Sequence, residues 1–284
     1  MIAVPESPSN AEIGAYYDTF DQHYRLVWGN HLHHGYWDKH THSTDQAITN
    51  LLDLAAAWLK ISQGESIADI GCGYGAGGLY LNRLHQCHVT GFTVSKKQFD
   101  EGKKIIDRSE ISIHLADWNE ALIGENHFDG ILSLECVCHI ANKQKFFQRI
   151  ASTLKPGCRA VVTLLAATDI GTRWYFNSLL KPLCQQAKFP NLAEIDDIDF
   201  WLKRSGLNLI HSENITPNVQ PTWRAILFRS LKRIPAAKLN RPEYVQLGRK
   251  ELLLSLNALR LQLAYWLGAI QYRFLVLEKP SSHE

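Results

Sequence analysis

Glu135 and His139, four residues apart in Leu134-Glu135-Cys136-Val137-Cys138-His139, are the pair in this chain best suited to moving a proton. A neutral imidazole with an ordinary pKa of about 6.5 takes a proton from a hydroxyl near neutral pH, and a neighbouring carboxylate orients it or holds a substrate. The same side chains serve equally well as a turn cap and a structural hydrogen-bond partner. Upstream, Ile67-Ala68-Asp69-Ile70-Gly71-Cys72-Gly73-Tyr74-Gly75-Ala76-Gly77-Gly78 reads as a strand, a glycine turn and the start of a helix. Glycine there allows positive φ and a close approach of the backbone to a ligand. Gly71-x-Gly73-x-x-Ala76 also fits the looser dinucleotide turn, so a nicotinamide enzyme is a competing reading. Against it, Gly91-Phe92-Thr93-Val94-Ser95 ends the next strand where a dinucleotide enzyme wants an acid for the ribose hydroxyls.

Positioning such residues calls for a parallel sheet. From Glu65 onward short apolar runs alternate with helical stretches. Strands are expected at Ser66–Ile70, His88–Phe92, Ile111–Leu115, Phe128–Leu134, Arg159–Leu165, Leu207–Glu213 and Tyr272–Glu278, with helices over Gly77–Leu84, Lys96–Ser109 and Lys143–Leu154. Lys155-Pro156-Gly157 closes the last of these helices. The fold expected is α/β, a doubly wound sheet of seven strands, over a single domain of residues 1–284. Residues 1–62 form a helical cap, rich in Tyr, Trp and His between Ala11 and Asp38 and ending in a helix over Ser43–Lys60; residues 63–167 form the core. Residues 168–205 form a lid inserted after the fifth strand, bearing Trp174, Tyr175, Phe176 and Trp201. Residues 206–284 return to strands around a leucine-rich helix near Pro242–Gly268, preceded by the basic stretch Arg229–Arg241.

Composition narrows the partners. The 284 residues hold 30 Lys and Arg against 28 Asp and Glu, a formal net charge of +2 with no charged block of the kind that grips nucleic acid. Met1–Asn10 carries two prolines and no apolar run, so no signal peptide or membrane span is expected there and the cytoplasm is the expected location. Six scattered cysteines without a C-x-x-C pair read as free thiols. No Cys/His cluster has metal-ligand spacing, so no metal is expected. The basic stretch is either an ordinary solvated loop or a segment that rests on an anionic membrane surface without stable insertion. Oligomeric state is not set by any of these features.

Several segments in series resemble the class I S-adenosylmethionine (SAM)-dependent methyltransferases. They are Trp28-Gly29-Asn30-His31-Leu32-His33-His34-Gly35-Tyr36-Trp37, the Asp69–Gly75 loop in D-x-G-x-G-x-G form, and Val89-Thr90-Gly91-Phe92-Thr93-Val94-Ser95 with Gln98. Ser133–Ile140, Asn214–Val219, and Gly268-Ala269-Ile270 with Lys279-Pro280 complete the series. The chain is most similar to the branch of tocopherol methyltransferases, alkaloid N-methyltransferases and macrolide O-methyltransferases, with cyclopropane fatty acid synthases a more distant branch.

The resemblance implies a mostly parallel sheet with a final antiparallel strand, and SAM as cofactor. It implies methyl transfer to an oxygen, nitrogen or carbon of a small lipophilic molecule such as a terpenoid, polyketide or alkaloid. It assigns Asp69, Gly71, Gly73, Gly75, Phe92 and Leu134 to the cofactor site. Thr93, Ser95 and Gln98 supply hydrogen bonds in place of the usual acid at Thr93, Asp117 and Trp118 hold the adenine, and Tyr16, Tyr17 and Tyr24 close over the methionine part. His139 becomes the candidate base, Glu135 its orienter or a substrate ligand, and His33, His34, Trp174 and Tyr175 line the substrate side. Each of these aromatic residues serves equally well as core packing, and Asp117 as a turn residue. Two alternatives share the cofactor: a SAM-binding protein without catalysis, and a lipid cyclopropane synthase using bound bicarbonate. The latter branch has a cysteine before its N-terminal tyrosine, where this chain has His34-Gly35-Tyr36.

Overall fold

Strands β1 (Ile2–Ala3), β2 (Ser66–Ile70), β3 (His88–Thr93), β4 (Ile111–Leu115), β5 (Phe128–Ser133), β6 (Leu154–Ala167), β7 (Asn191–Glu194), β8 (Asn208–Asn214) and β9 (Ile270–Glu278) join one sheet. The computed structural model describes residues 2–3, 7–106, 108–233 and 242–281. β4, β3, β2, β5 and β6 lie side by side and parallel. β9 runs antiparallel to β6, from Ala167↔Ile270 to Arg159↔Glu278, and β8 runs antiparallel to β9. All seven expected strands are present, and the last is antiparallel. The short β1 and β7 were not expected, because two and four residues are too few to show alternation. β6 starts at Leu154, ahead of the expected Arg159: Gly157, at φ +75°, keeps the chain on the sheet by donating its N–H to Lys279 O, and the register shifts opposite Phe128 and Gly130.

Helices cover both faces, which is why the central strands are apolar on both sides. On one face, α2 (Thr44–Leu59) buries Leu51, Leu52, Ala55 and Ala56 at helical spacing against β5 and β6, beside α3 (Ala76–His85). On the other, α5 (Lys143–Thr153) buries Phe146, Phe147 and Ile150. Each such Leu or Phe contributes roughly 1.5–3 kcal/mol when fully buried. α4 (Lys96–Ile105) stops four residues short of its expected end, where Ile106 turns extended and packs against the core.

α1 (Asn10–Val27) opens with a capping box between Ser9 and Glu12 and lies over the loops that follow β2, β3 and β4. Asn10 Nδ2 donates to Asp117 Oδ2 at 2.6 Å, Ser95 Oγ to Asp18 Oδ1 at 2.5 Å, and Tyr74 OH to Asp21 Oδ1 at 2.8 Å. Buried Asp21 also pairs with Arg25 at 2.9 Å, and Arg25 reaches Glu101 of α4 at 3.0 Å. A Cβ on Gly14 would stand 2.4 Å from Val94 O, so only glycine lets the helix seat this closely.

After β6 come a π-helix (Gly171–Leu180), α6 (Lys181–Ala187) and α7 (Ile195–Lys203). α7 is not a lid: Trp201 stacks on Phe147 at 6.0 Å inside the second core, because the helix returns beneath the sheet. α6 does reach the cavity, through Leu183 and Ala187, and further cover comes between β8 and β9, where α8 (Thr216–Val219) is followed by α9 (Pro221–Arg233) and α10 (Pro242–Trp266). Most of the basic stretch Arg229–Arg241 lies outside the described residues. Among the described residues no helix is long and apolar enough to cross a membrane.

Gly14→Ala is expected to destabilise the protein by about 1–3 kcal/mol, because the added methyl meets backbone rather than a movable side chain. Urea unfolding checks this; an unchanged midpoint would show that α1 does not depend on its contact with Val94.

Candidate active site

A cavity opens where the parallel strands end. Ile70, Gly71, Phe92, Ala116 and Leu134 come to it from the strand ends, Ile13, Tyr16, Tyr17 and Tyr24 from α1, Leu183, Trp223, Ile226 and Leu261 from the later helices, and Phe189 from the loop after α6.

At one end the loops present a graded set of polar groups. Gly71 and Gly73 line the cavity with φ of +75° and +56°; a Cβ on Gly73 would enter open space, with only Leu32 at 3.9 Å. Thr93 Oγ1 donates to Gln98 Oε1 at 2.8 Å, which leaves the Gln98 amide N–H groups as donors on the cavity wall. Asp117 and Trp118 lie on the same wall. Asp117 accepts from Asn10 and, at 2.9 Å, from Asn119 N–H, so it shapes its own turn while facing the cavity. Trp118 packs edge-on to Phe92 at 5.2 Å, and its buried Nε1–H has no acceptor among the described residues.

Three residues expected at the cofactor lie off the wall. Ser95 donates to Asp18 and caps α4 by accepting from Gln98 N–H. Gly75, at φ +76°, is the N-cap of α3 and backs onto Ile113. Asp69 is buried behind the loop, where desolvation pushes its carboxyl up to about 7 against the Gly78 N–H that it accepts. Asp69 thus holds the start of α3 against the strand.

At the other end His139 and Glu135 line the cavity, each with partners of its own. The His139 ring faces the Lys188 carbonyl through Nδ1 at 3.4 Å and the Tyr17 hydroxyl through Nε2 at 2.8 Å. A carbonyl only accepts, so Nδ1 carries the proton and the Nε2 lone pair takes the Tyr17 O–H. Burial lowers the His139 pKa to about 4, which keeps the ring neutral at neutral pH. Burial raises the Tyr17 hydroxyl well above its usual range, so Tyr17 remains a phenol.

Glu135 does not orient His139. Its Oε1 accepts from His34 N–H, from His34 Nδ1 at 2.7 Å and from Tyr272 OH at 2.9 Å. Its own N–H donates to Thr163 Oγ1 at 3.0 Å, and its φ of +61° is left-handed, a strained position for a residue with a side chain. Trp223 Nε1–H donates to His34 Nε2; indole is only a donor, so His34 is the neutral Nδ1–H tautomer. Burial works against charge on Glu135, yet the His34 ring and backbone N–H hold its carboxyl below the usual range. Its side chain keeps 19% exposure, on the cavity side.

Of the residues expected on the substrate side, only His34 lines the cavity, and there it serves Glu135. His33 is buried with Nδ1 on the His34 carbonyl, Tyr175 packs on the core, and Trp174 is 77% exposed on the π-helix. Residues with no sequence signal of their own replace them. Asn10 is an ordinary first helical residue, and Leu254, Ala258 and Leu261 show only the spacing of a buried helix face. Trp223, four residues beyond the Asn214–Val219 segment, was the one legible cue.

Fold and site together describe a small-molecule enzyme whose cofactor end meets an apolar chamber at the carboxyl ends of parallel strands. Residues 5–243 match the family described as mycolic acid cyclopropane synthetase, and the chain belongs to it; it is a SAM-dependent methyltransferase. It is 27% identical over 230 residues to the 27-O-demethylrifamycin SV methyltransferase of Amycolatopsis mediterranei, covering 76% of this chain and 80% of the relative. It is 27% identical over 226 residues to the O-methyltransferase cnsE of Penicillium expansum, covering 78% and 80%. Its fold superposes on the cyclopropane synthase MmaA2 from Mycobacterium tuberculosis with a TM-score of 0.82 at 18% identity, over 97% of this chain and 100% of that one. The nicotinamide reading is thereby set aside.

Because His139 titrates near 6.5 when unfolded and near 4 when folded, its contribution to stability is complete above that window and is lost as pH falls through it. Melting temperatures at pH 7 and pH 5 are therefore expected to fall more steeply for the wild type than for His139→Gln; parallel slopes would contradict a buried neutral imidazole.

Proposed function

We propose that the chain methylates a hydroxyl group of a lipophilic small molecule, with SAM held at the Gly71–Gly73 end of the cavity and the acceptor in the chamber beside Tyr17 and His139. The groups on the wall fit SAM. Asp117 offers an acceptor to an adenine amino group, Phe92 and Trp118 offer ring faces and edges, and the Gln98 amide offers donors to ribose hydroxyls. The gap over Gly73 leaves room that a side chain would fill. When bound, SAM supplies a methyl carbon made electrophilic by its sulfonium.

The observation that carries the hydroxyl assignment is the buried neutral His139 with its lone pair on the Tyr17 hydroxyl. As an acceptor oxygen forms its bond to carbon, its proton has a path: the acceptor O–H donates to the Tyr17 oxygen while Tyr17 passes its own proton to His139 Nε2. If Tyr17 turns aside, His139 takes the proton directly. The imidazolium that forms is stabilised by donating Nδ1–H to the Lys188 carbonyl. The Glu135 face in the chamber accepts a hydrogen bond from a second polar group of the acceptor and so sets its orientation. The apolar walls, Leu183, Phe189, Ile226 and Leu261 among them, favour a largely apolar acceptor, and the name of the Amycolatopsis relative, 27-O-demethylrifamycin SV methyltransferase, supports a natural-product acceptor methylated on oxygen. Six free cysteines support a reducing compartment such as the cytoplasm.

The family description keeps lipid cyclopropanation as a second reading. Incubation with SAM bearing a trideuterated methyl group separates the two. An O-methylated product keeps all three deuteriums, whereas ring closure on an alkene keeps two. Retention of three with a hydroxylated terpenoid or polyketide acceptor is expected; retention of two with an unsaturated lipid would sink the hydroxyl assignment.

Two further outcomes are expected. Calorimetry should show SAM or S-adenosylhomocysteine binding without NAD binding, weakened about tenfold in Asp117→Ala through loss of one hydrogen bond to the adenine. His139→Ala should lower kcat by about 10²–10⁴-fold with little change in SAM affinity. An unaltered kcat would leave His139 a packing residue.

A further inference from the structure

The tautomer of His139 rests on one contact, from its Nδ1–H to the Lys188 carbonyl at 3.4 Å, near the outer limit of a hydrogen bond. A small displacement of that carbonyl breaks it. Lys188 ends α6 at φ +57°, a left-handed position that its surroundings must hold in place. Two residues of loop follow, with the Phe189 ring edge-on to His139 at 5.0 Å, and Asn191 then opens β7.

A buried ammonium ties this segment down. Lys143 is 2% exposed and stands at the first position of α5, where the helix dipole disfavours a cation. Burial lowers its pKa to about 8, which still leaves an ammonium with three N–H donors at neutral pH. They reach the Ile140 carbonyl at 2.8 Å, the Asn191 side-chain oxygen, and the Asn191 carbonyl at 3.4 Å. Asn191 in turn donates Nδ2–H to the Ala141 carbonyl at 2.9 Å. Ile140 and Ala141 directly follow His139, and Asn191 lies three residues beyond Lys188. The cation therefore joins the two segments that meet at the imidazole. An apolar side chain of the same size would fill the space without burying a charge, so what the cation adds is the geometry.

We propose that Lys143 is a positioning residue for His139, a role that rests on His139 being the base. By clamping Ile140 to Asn191 it keeps the Lys188 carbonyl on Nδ1 and leaves the Nε2 lone pair facing Tyr17 and the acceptor. Lys143 does not line the cavity, so it acts only through the ring. Without the clamp the imidazole is free to adopt the Nε2–H tautomer. It then donates to the Tyr17 oxygen and has no lone pair on that side to receive a proton.

Nitrogen-15 NMR of the imidazoles in the S-adenosylhomocysteine complex reads the tautomer without turnover, with His139→Gln to assign the signal. Wild type is expected to show Nδ1 protonated and Nε2 bare. Lys143→Met is expected to bind S-adenosylhomocysteine within about twofold of wild type and to move the His139 signal mostly to the Nε2–H form. With the acceptor that retains three deuteriums, its kcat is expected to fall about 10–100-fold. Placed on His139→Gln, the same substitution is expected to cost less than about a further twofold, because the ring it serves is gone. A folded Lys143→Met that keeps the Nδ1–H tautomer overturns the proposal, and so does an equal loss of kcat in both backgrounds. If Lys143→Met does not fold, Asn191→Ala, which removes the side-chain acceptor and the tie to Ala141, is judged by the same signal. An unaltered kcat in His139→Ala would sink the base reading, while the clamp would still stand or fall on the tautomer.

Discussion

One carboxylate oxygen with three donors holds the inner end of the chamber together. Glu135 Oε1 receives two N–H groups of His34 and the Tyr272 hydroxyl, and the Glu135 backbone is anchored to Thr163. A buried carboxylate with fewer partners would be costly, and a residue with a side chain in the left-handed region needs its surroundings to hold it there. The surroundings come from distant parts of the chain: the N-terminal segment, the end of β5, the middle of β6, the last strand, and α9 through Trp223 on His34. The inner end of the chamber is therefore complete only when both termini have docked on the central strands.

The opposite end is assembled differently. α1 is a helix laid over three loops, each reached by a polar side chain, and it touches the β3–α4 loop closely enough that Gly14 admits no Cβ. Tyr16, Tyr17 and Tyr24 then face the cavity from one side of that helix. Tyr17 belongs to both ends, since its hydroxyl reaches His139 across the interior. Exclusion of water by the cap and burial of the imidazole are one physical fact: the desolvation that lowers the His139 pKa also keeps the ring in the form that accepts a proton.

Much of this architecture was legible along the chain. The strand sites, the glycine turn, the helix over Ser43–Lys60, and the wall positions of Phe92, Asp117, Leu134, Glu135 and His139 follow from local periodicity, turn chemistry and motif order. Those signals depend on neighbours within a few residues. Where a residue read as a ligand group lies behind the wall, the reason is local competition. Ser95 is taken by its own helix and by Asp18, Asp69 by the start of α3, and Gly75 by the cap it makes.

The sequence by itself determined the parallel sheet, the glycine turn at Gly71–Gly73, and the identity of the imidazole and carboxylate after β5. Side-chain type and spacing encode these directly. Tertiary structure alone decided which helices cover the chamber, sending Trp201 into the core and bringing Trp223, Ala258 and Leu261 to the wall. It also decided that Glu135 answers to His34 and Tyr272 while His139 answers to Tyr17. An apolar helix face looks the same in sequence whether it packs on a sheet, walls a cavity or meets a membrane, because hydrophobic burial has no direction until the partner surface is in place.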